Sequence, residues 1–212
     1  MDSLSTLVKQ RRLLVAIGQK MVARGLIVAA EGNLSVRLGG FSYLVTPSGV
    51  SKGELKVQDL LEIDFSGRTA HGTPTTEWPL HAEIYALRPD VGAVCHAHSP
   101  WSTAFAAAGR PLDGSLLTET ASLLPQVPVA ARALPGTTAL AASVRPLVAG
   151  HEAILLGGHG VVTMGCDLEN AFALLETVER LAQVTLMSEI AAGQPPRSDE
   201  VVNLMKRATG SR

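Results

Sequence analysis

Two histidines one residue apart, His96 and His98 in "VCHAHSP", close an apolar run, and a third, His159, stands among glycines in "LLGGHGVV". In a strand, residues i and i+2 point to one face, so His96 and His98 project together while Cys95 and Ala97 face the other way. Both imidazoles then reach one ion, and Cys95 is a poor ligand for the same reason. A histidine pair at the end of a buried strand also serves as plain hydrogen-bonded structure. His159 tips the balance: Gly157, Gly158 and Gly160 let backbone or a ligand approach it closely, and a lone imidazole buried there without a partner is costly. Three neutral imidazoles suit zinc, with a fourth position for water, substrate or a carboxylate, which is a catalytic layout. Ligand type alone also admits iron, manganese or cobalt.

Glu77 in "PTTEWPLH" is the acid/base candidate. Its apolar neighbours Trp78, Pro79 and Leu80 predict partial desolvation, which raises a carboxyl pKa toward a value useful for a general base. A carboxylate at a helix start also fits simple interaction with the helix dipole. His81, four residues on, is expected to meet that carboxylate on one helix face or to pack beneath it. His71 and His151 lie in loop-like contexts and are read as exposed.

These side chains need a scaffold, and the chain supplies an alternation of strands and helices typical of a layered α/β or α+β structure. An amphipathic helix is predicted from Ser5 to Arg24 with Gly25 as its C-terminal cap. "NLSVRLGGFSYLVTP" reads as a hairpin around Gly39-Gly40, and "LLEIDFSGRTA" as a second one around Ser66-Gly67. "TPTTEWPLHAEIYALRP" reads as a helix with its N-terminal turn from Thr75 or Thr76, Pro79 early and Pro89 as the stop. "DVGAVCHAHS" is a buried strand, "PWSTAFAAAGR" a helix ended by Gly109, and "VPVA" a short strand. "GTTALAASVRPLVAG" is a helix, "EAILLGGHGVVTMG" two strands, and "DLENAFALLETVERLAQVTLMSEIAAG" a long helix capped by Asp167. "SDEVVNLMKRA" adds a last helix.

The chain has 212 residues, 46% hydrophobic and 17% charged, with no repeat or linker, which fits one domain over residues 1–212. A net charge of -1 leaves no basic surface for nucleic acid. The N-terminus lacks a signal-peptide layout, and the apolar runs are shorter than a membrane span. Two cysteines, Cys95 and Cys166, argue against a disulfide framework and fit a cytoplasmic protein.

The ordered series "EGNLSVR", "LVTPSGV", "PTTEW", "HAH", "LLGGHG", "LENAFALLETVERLAQ" and the late "SDE" resembles the class II aldolase/adducin family. The resemblance is strongest to members acting on sugars like L-fuculose 1-phosphate. It implies a three-layer α/β fold, with a central mostly antiparallel sheet and helices on both faces, assembled as a homotetramer with active sites near subunit interfaces. It also implies Zn2+ held by His96, His98 and His159, with Glu77 as catalytic acid/base and a further metal ligand when substrate is absent. A phosphate pocket is implied at Gly32 and Asn33, Ser48 and Gly49, and Thr75 and Thr76. Hydroxyls, an amide and backbone N–H groups at a helix start do form anion sites, although each is also ordinary turn and cap chemistry. The implied reaction is reversible cleavage of a sugar 1-phosphate, through an enediolate, into dihydroxyacetone phosphate and an aldehyde.

The resemblance also implies tyrosines after H-x-H and near the C-terminus. Here the only tyrosines are Tyr43 and Tyr85, and the corresponding stretch "DGSLLTETASLL" offers Thr118 and Glu119. Dehydratases, epimerases and decarboxylases of the family share the metal site, the epimerase pattern preferring aspartate where Glu77 stands. An adducin-type interaction module need not keep metal ligands that are all present here. A cupin-type dioxygenase places its glutamate just after H-x-H, whereas Glu77 precedes His96.

Overall fold

Strand alternation distributes side chains between two apolar layers, one on each face of a seven-stranded sheet, in the computed structural model, which describes residues 3–193. The strands are β1 (Asn33–Gly39), β2 (Ser42–Val45), β3 (Leu61–Asp64), β4 (Ala93–Ala97), β5 (Leu112–Asp113), β6 (Gln126–Val127), β7 (Val129–Ala130), β8 (Ala153–Leu156) and β9 (Gly160–Gly165). The sheet runs β3-β2-β1-β4-β9-β8-β7, and β5 and β6 form a separate ribbon. All neighbours in the large sheet are antiparallel except β7 and β8.

The helices are α1 (Ser3–Ala23), α2 (Trp78–Leu87), α3 (Pro100–Ala108), the single turn α4 (Thr118–Ala121), α5 (Thr138–Val148) and α6 (Leu168–Ala191). Leu14 and Ile17 of α1, Phe105 of α3 and Leu175 and Val178 of α6 pack on the strand face that carries Leu34, Cys95 and Leu155. Trp78, Ile84 and Tyr85 of α2 and Leu140 and Val144 of α5 cover the other face, with Tyr43, Val94 and Val162. Helices on both faces of a mostly antiparallel sheet give the expected three layers.

Local signals explain the boundaries. The Asp167 side chain accepts the Asn170 N–H at 2.8 Å and starts α6. Gly109, at φ +67°, ends α3 in the left-handed region. Thr75 supplies the turn before α2, its Oγ1 accepting the Glu77 N–H at 3.2 Å.

Two expectations change. "LLEIDFSGRTA" turns back around Ser66-Gly67, the Asp64 N–H donating to the Arg68 carbonyl at 3.0 Å, but it forms one strand rather than two, and the Asp64 carboxylate closes the turn by accepting from the Ser66 hydroxyl and the Arg68 N–H. "VPVA" is divided at Pro128, which has no N–H to donate: Val127 pairs with Leu112 while Val129 and Ala130 pair with β8. The helix expected at "SDEVVNLMKRA" lies outside the described residues. Among the described residues no helix is long and apolar enough to cross a membrane.

Candidate active site

Alternation in β4 buries Cys95 in the α1–α6 layer and turns His96 toward α2. The strand ends at Ala97, and His98 follows on the side of His96, with ring centroids 5.0 Å apart. Antiparallel pairing of β4 with β9 sets Ala97 opposite Val161, so the β8–β9 turn delivers His159 to the same point. The glycines around His159 make room for backbone and a side chain of the protein itself. A Cβ at Gly157 would stand 2.7 Å from the Ala130 carbonyl oxygen, and one at Gly158 would meet the Arg132 guanidinium.

The Nε2 atoms of His96 and His98 lie 3.2 Å apart, and those of His98 and His159 3.0 Å apart. A tetrahedral ion with metal–nitrogen bonds of 2.0–2.1 Å needs nitrogens about 3.3 Å apart. The His96 Nδ1–H donates to the Val161 carbonyl at 2.9 Å, which leaves its Nε2 with a lone pair facing the other two rings. His98 Nδ1 is turned toward Glu31, 3.6 Å from Oε1. Glu77 closes the remaining side: Oε2 is 3.0 Å from His96 Nε2 and Oε1 3.4 Å from His159 Nε2. Converging imidazole lone pairs and a carboxylate repel one another unless a cation stands between them, and three nitrogens with one oxygen suit a divalent transition metal.

Glu77 departs from its expected ionisation. Burial pushes its carboxyl up, but His96 and His159 when protonated, together with the Asn33 hydrogen bond, outweigh that and hold it well below the usual carboxylate range. The group is therefore an ionised base at neutral pH.

The His81 imidazole makes no hydrogen bond to the Glu77 carboxylate; the two residues bond only through backbone, His81 N–H to the Glu77 carbonyl at 3.4 Å. The ring is fully buried and bonds Asn33 instead, Nε2 to Oδ1 at 2.5 Å, while Asn33 Nδ2 donates to Glu77 Oε2 at 2.7 Å. Burial pushes the His81 imidazole down to about 3, so it is neutral. His71 is exposed, and His151 is half-buried with Nδ1 donating to the Leu147 carbonyl.

A cavity of about 580 Å3 opens beside the histidines, and its walls include all six residues of the expected phosphate pocket: Gly32, Asn33, Ser48, Gly49, Thr75 and Thr76. The side-chain amide of Asn33 is taken by Glu77 and His81. Gly32 is at φ +67°, and a Cβ there would stand 2.7 Å from the His96 carbonyl oxygen. Gly32→Ala is expected to lower stability by about 1–3 kcal/mol through overpacking alone, read by denaturant unfolding. Unchanged unfolding would mean that the β1 entry relaxes without cost.

Lys52 is the site residue that sequence reasoning missed. It is buried to 2% exposure, is the only lysine or arginine among the described residues lining the cavity, and donates from Nζ to the Ala30 carbonyl at 2.7 Å and the Val50 carbonyl at 3.1 Å. Burial pushes its ammonium down to about 8, against the opposing pull of Glu77. The available signal was its place three residues after Gly49 in "PSGVSK". Glu119, by contrast, lines a separate cavity with Arg24 and Trp101, and neither it nor Thr118 reaches the histidine cavity.

Residues 12–186 match the family described as Class II Aldolase and Adducin N-terminal domain. The chain is 34% identical over 199 residues to a 5-methylthioribulose-1-phosphate/5-deoxyribulose-1-phosphate aldolase of Rhodospirillum rubrum, covering 93% of this chain and 90% of that protein. It is 35% identical over 189 residues to a methylthioribulose-1-phosphate dehydratase of Acidiphilium cryptum, covering 82% and 89%. The crystal structure of L-fuculose-1-phosphate aldolase from Thermus thermophilus is similar with a TM-score of 0.77 and 33% identity, covering 86% of this chain and 95% of that one.

Proposed function

The chain belongs to the class II aldolase/adducin family and is a class II aldolase, a lyase of sugar phosphates; from that premise we propose that it reversibly cleaves a ketose 1-phosphate of the L-fuculose 1-phosphate or 5-deoxyribulose 1-phosphate type into dihydroxyacetone phosphate and an aldehyde. The observation that carries this reading is one cavity whose walls bring together Glu77, His98 and His159 of the metal-type cluster, the buried Lys52 and the hydroxyl and backbone groups of Ser48, Gly49, Thr75 and Thr76.

In this reading His96, His98 and His159 hold a divalent ion, zinc by the preference of the donor set, and Glu77 is a further ligand when substrate is absent. When bound, the ion supplies Lewis-acid stabilisation of negative charge developing on substrate oxygens. Gly32, Asn33, Ser48, Gly49, Thr75 and Thr76 frame the phosphate, with the Lys52 ammonium supplying its countercharge. Anchoring the phosphate there fixes the reacting carbons relative to Glu77, a contribution of orientation. In the synthetic direction Glu77 removes a proton from the hydroxyl-bearing carbon of dihydroxyacetone phosphate, giving the enediolate that attacks the aldehyde, whose oxygen takes a proton from solvent to become the product hydroxyl. In cleavage it returns that proton.

The same reading includes a homotetramer with the cavity near a subunit contact. A likeness to a dehydratase gives the second reading, loss of water from the same class of substrate, which uses the same acid/base and metal cluster.

The deciding assay offers purified, metal-loaded protein L-fuculose 1-phosphate, 5-deoxyribulose 1-phosphate and 5-methylthioribulose 1-phosphate, following dihydroxyacetone phosphate by coupled reduction before and after chelation. Metal-dependent release is expected from at least one substrate, by a species whose light-scattering mass is four chains. Consumption of the methylthio sugar without release would move the assignment to the dehydratase.

A further inference from the structure

A line of five buried polar side chains, drawn from β1 and from α2 with its N-cap, ends on Glu77. The Tyr85 hydroxyl is 2.8 Å from Ser35 Oγ, Ser35 Oγ is 2.6 Å from His81 Nδ1, His81 Nε2 is 2.5 Å from Asn33 Oδ1, and Asn33 Nδ2 is 2.7 Å from Glu77 Oε2. Their exposures run from 0% at Ser35 and His81 to 7% at Glu77, so water cannot substitute for a missing partner. The line arises because Asn33 and Ser35 alternate with the core residues Leu34 and Val36 on β1, while 77, 81 and 85 recur at i+4 from the N-cap of α2 onward.

The direction of every bond follows from the Asn33 amide. Asn33 turns its amide nitrogen, which only donates, to Glu77 Oε2 and its amide oxygen, which only accepts, to His81 Nε2. His81 Nε2 therefore carries the ring proton and Nδ1 the lone pair. The Ser35 hydroxyl must then donate to Nδ1, and the Tyr85 hydroxyl to Ser35. No link can reverse while the Asn33 amide keeps this orientation. The other carboxylate oxygen, Glu77 Oε1, is buried and has no hydrogen-bond partner among the described residues.

We propose that Tyr85, Ser35, His81 and Asn33 form a one-way hydrogen-bonded chain that positions Glu77, tying Oε2 in place and reserving Oε1 for the substrate proton. The amide in the middle makes it a positioning device rather than a proton conduit. His81, Ser35 and Tyr85 touch no substrate and act only through Asn33. The functional part rests on Glu77 being the acid/base of the proposed aldolase, whereas the polarity of the chain stands independently of any substrate.

The test therefore has two readouts. Nitrogen-15 NMR of the metal-loaded protein is expected to show His81 neutral with its proton on Nε2; a proton on Nδ1 would overturn the chain whatever the enzyme does. The second readout is exchange of the dihydroxyacetone phosphate carbon-bound proton with deuterated solvent, which needs no aldehyde. His81→Phe is expected to slow exchange about tenfold, within the range for lost supporting partners of a metal site, with metal content and KM unchanged, and His81→Gln, which restores a donor to Asn33, to recover most of it. Tyr85→Phe and Ser35→Ala, milder changes, are expected to slow it several-fold with full metal content. Native exchange rates in His81→Phe, or in both milder variants, would overturn the positioning role. A native protein with the Nε2 proton but without any exchange would instead count against the aldolase reading and end the functional half of the proposal with it.

Discussion

Glu77→Gln is expected to bind metal as the native chain does while cleaving substrate about 10²- to 10⁴-fold more slowly, the range for loss of a general acid/base. Glutamine keeps the length of the side chain and an oxygen to accept the Asn33 amide, and the three histidines still converge. What disappears is the ability of the second carboxylate oxygen to take and return a proton. The native carboxyl lies well below its usual range despite burial, because His96, Asn33 and His159 favour the charged form, so the base is available throughout the neutral region. Metal content by elemental analysis, set against kcat from the coupled assay, checks the result. A variant with full metal and near-native kcat would remove Glu77 from the acid/base role.

Lys52→Met is expected to lower kcat/KM for the phosphorylated sugar by roughly 10- to 100-fold at pH 7, the worth of a charge-assisted hydrogen bond of about 1.5–3 kcal/mol. The pH profile separates this from a generic defect. With its ammonium pushed down to about 8, the native free enzyme loses the positive charge as pH rises through about 8, so kcat/KM should fall on that alkaline limb. In the methionine variant that limb should vanish. Stability should move the opposite way. The unfolded chain holds its lysine proton up to the ordinary pKa of 10.5 while the folded chain releases it near 8, so the penalty for burying the charge is fully present below about 8 and is relieved as pH rises toward 10.5. The variant should therefore be at least as stable as the native chain at pH 7. Loss of stability alongside an unchanged alkaline limb would assign Lys52 to holding the loops at Ala30 and Val50, not to the phosphate.

Sequence reading reached the residues whose signal is local. The alternation that separates His96 from Cys95, the glycines around His159 and the caps of α2, α3 and α6 are written within a few neighbours of each residue. The family resemblance supplied the layer order and the cavity residues Gly32, Ser48, Gly49, Thr75 and Thr76. Relationships across the sheet were hidden. Glu77 was expected to have a raised pKa from its apolar neighbours in sequence, but its ionisation is decided by His96, Asn33 and His159, which arrive from other strands. Lys52 reads locally as a surface lysine. Asn33 was assigned to phosphate by its motif, yet its amide is engaged by residues 44 and 48 positions away. Tyr85 was noted only as a tyrosine in the wrong place for the reaction, and in the structure it starts the line that ends on Glu77.

The sequence separations bridged by the site's own bonds also bear on how the molecule is made. Ser35 meets His81 across 46 residues, His96 meets Val161 across 65, and His98 meets His159 across 61. Such non-local contacts form only after long loops have closed, the slow part of folding for sheet-rich chains. A folding intermediate with β1, β2 and β4 paired but β9 still loose would hold the His96–His98 pair without its third ligand. The three-histidine centre is complete only once β9 has paired with β4, so an ion that binds it would favour chains in which that long-range pairing has formed.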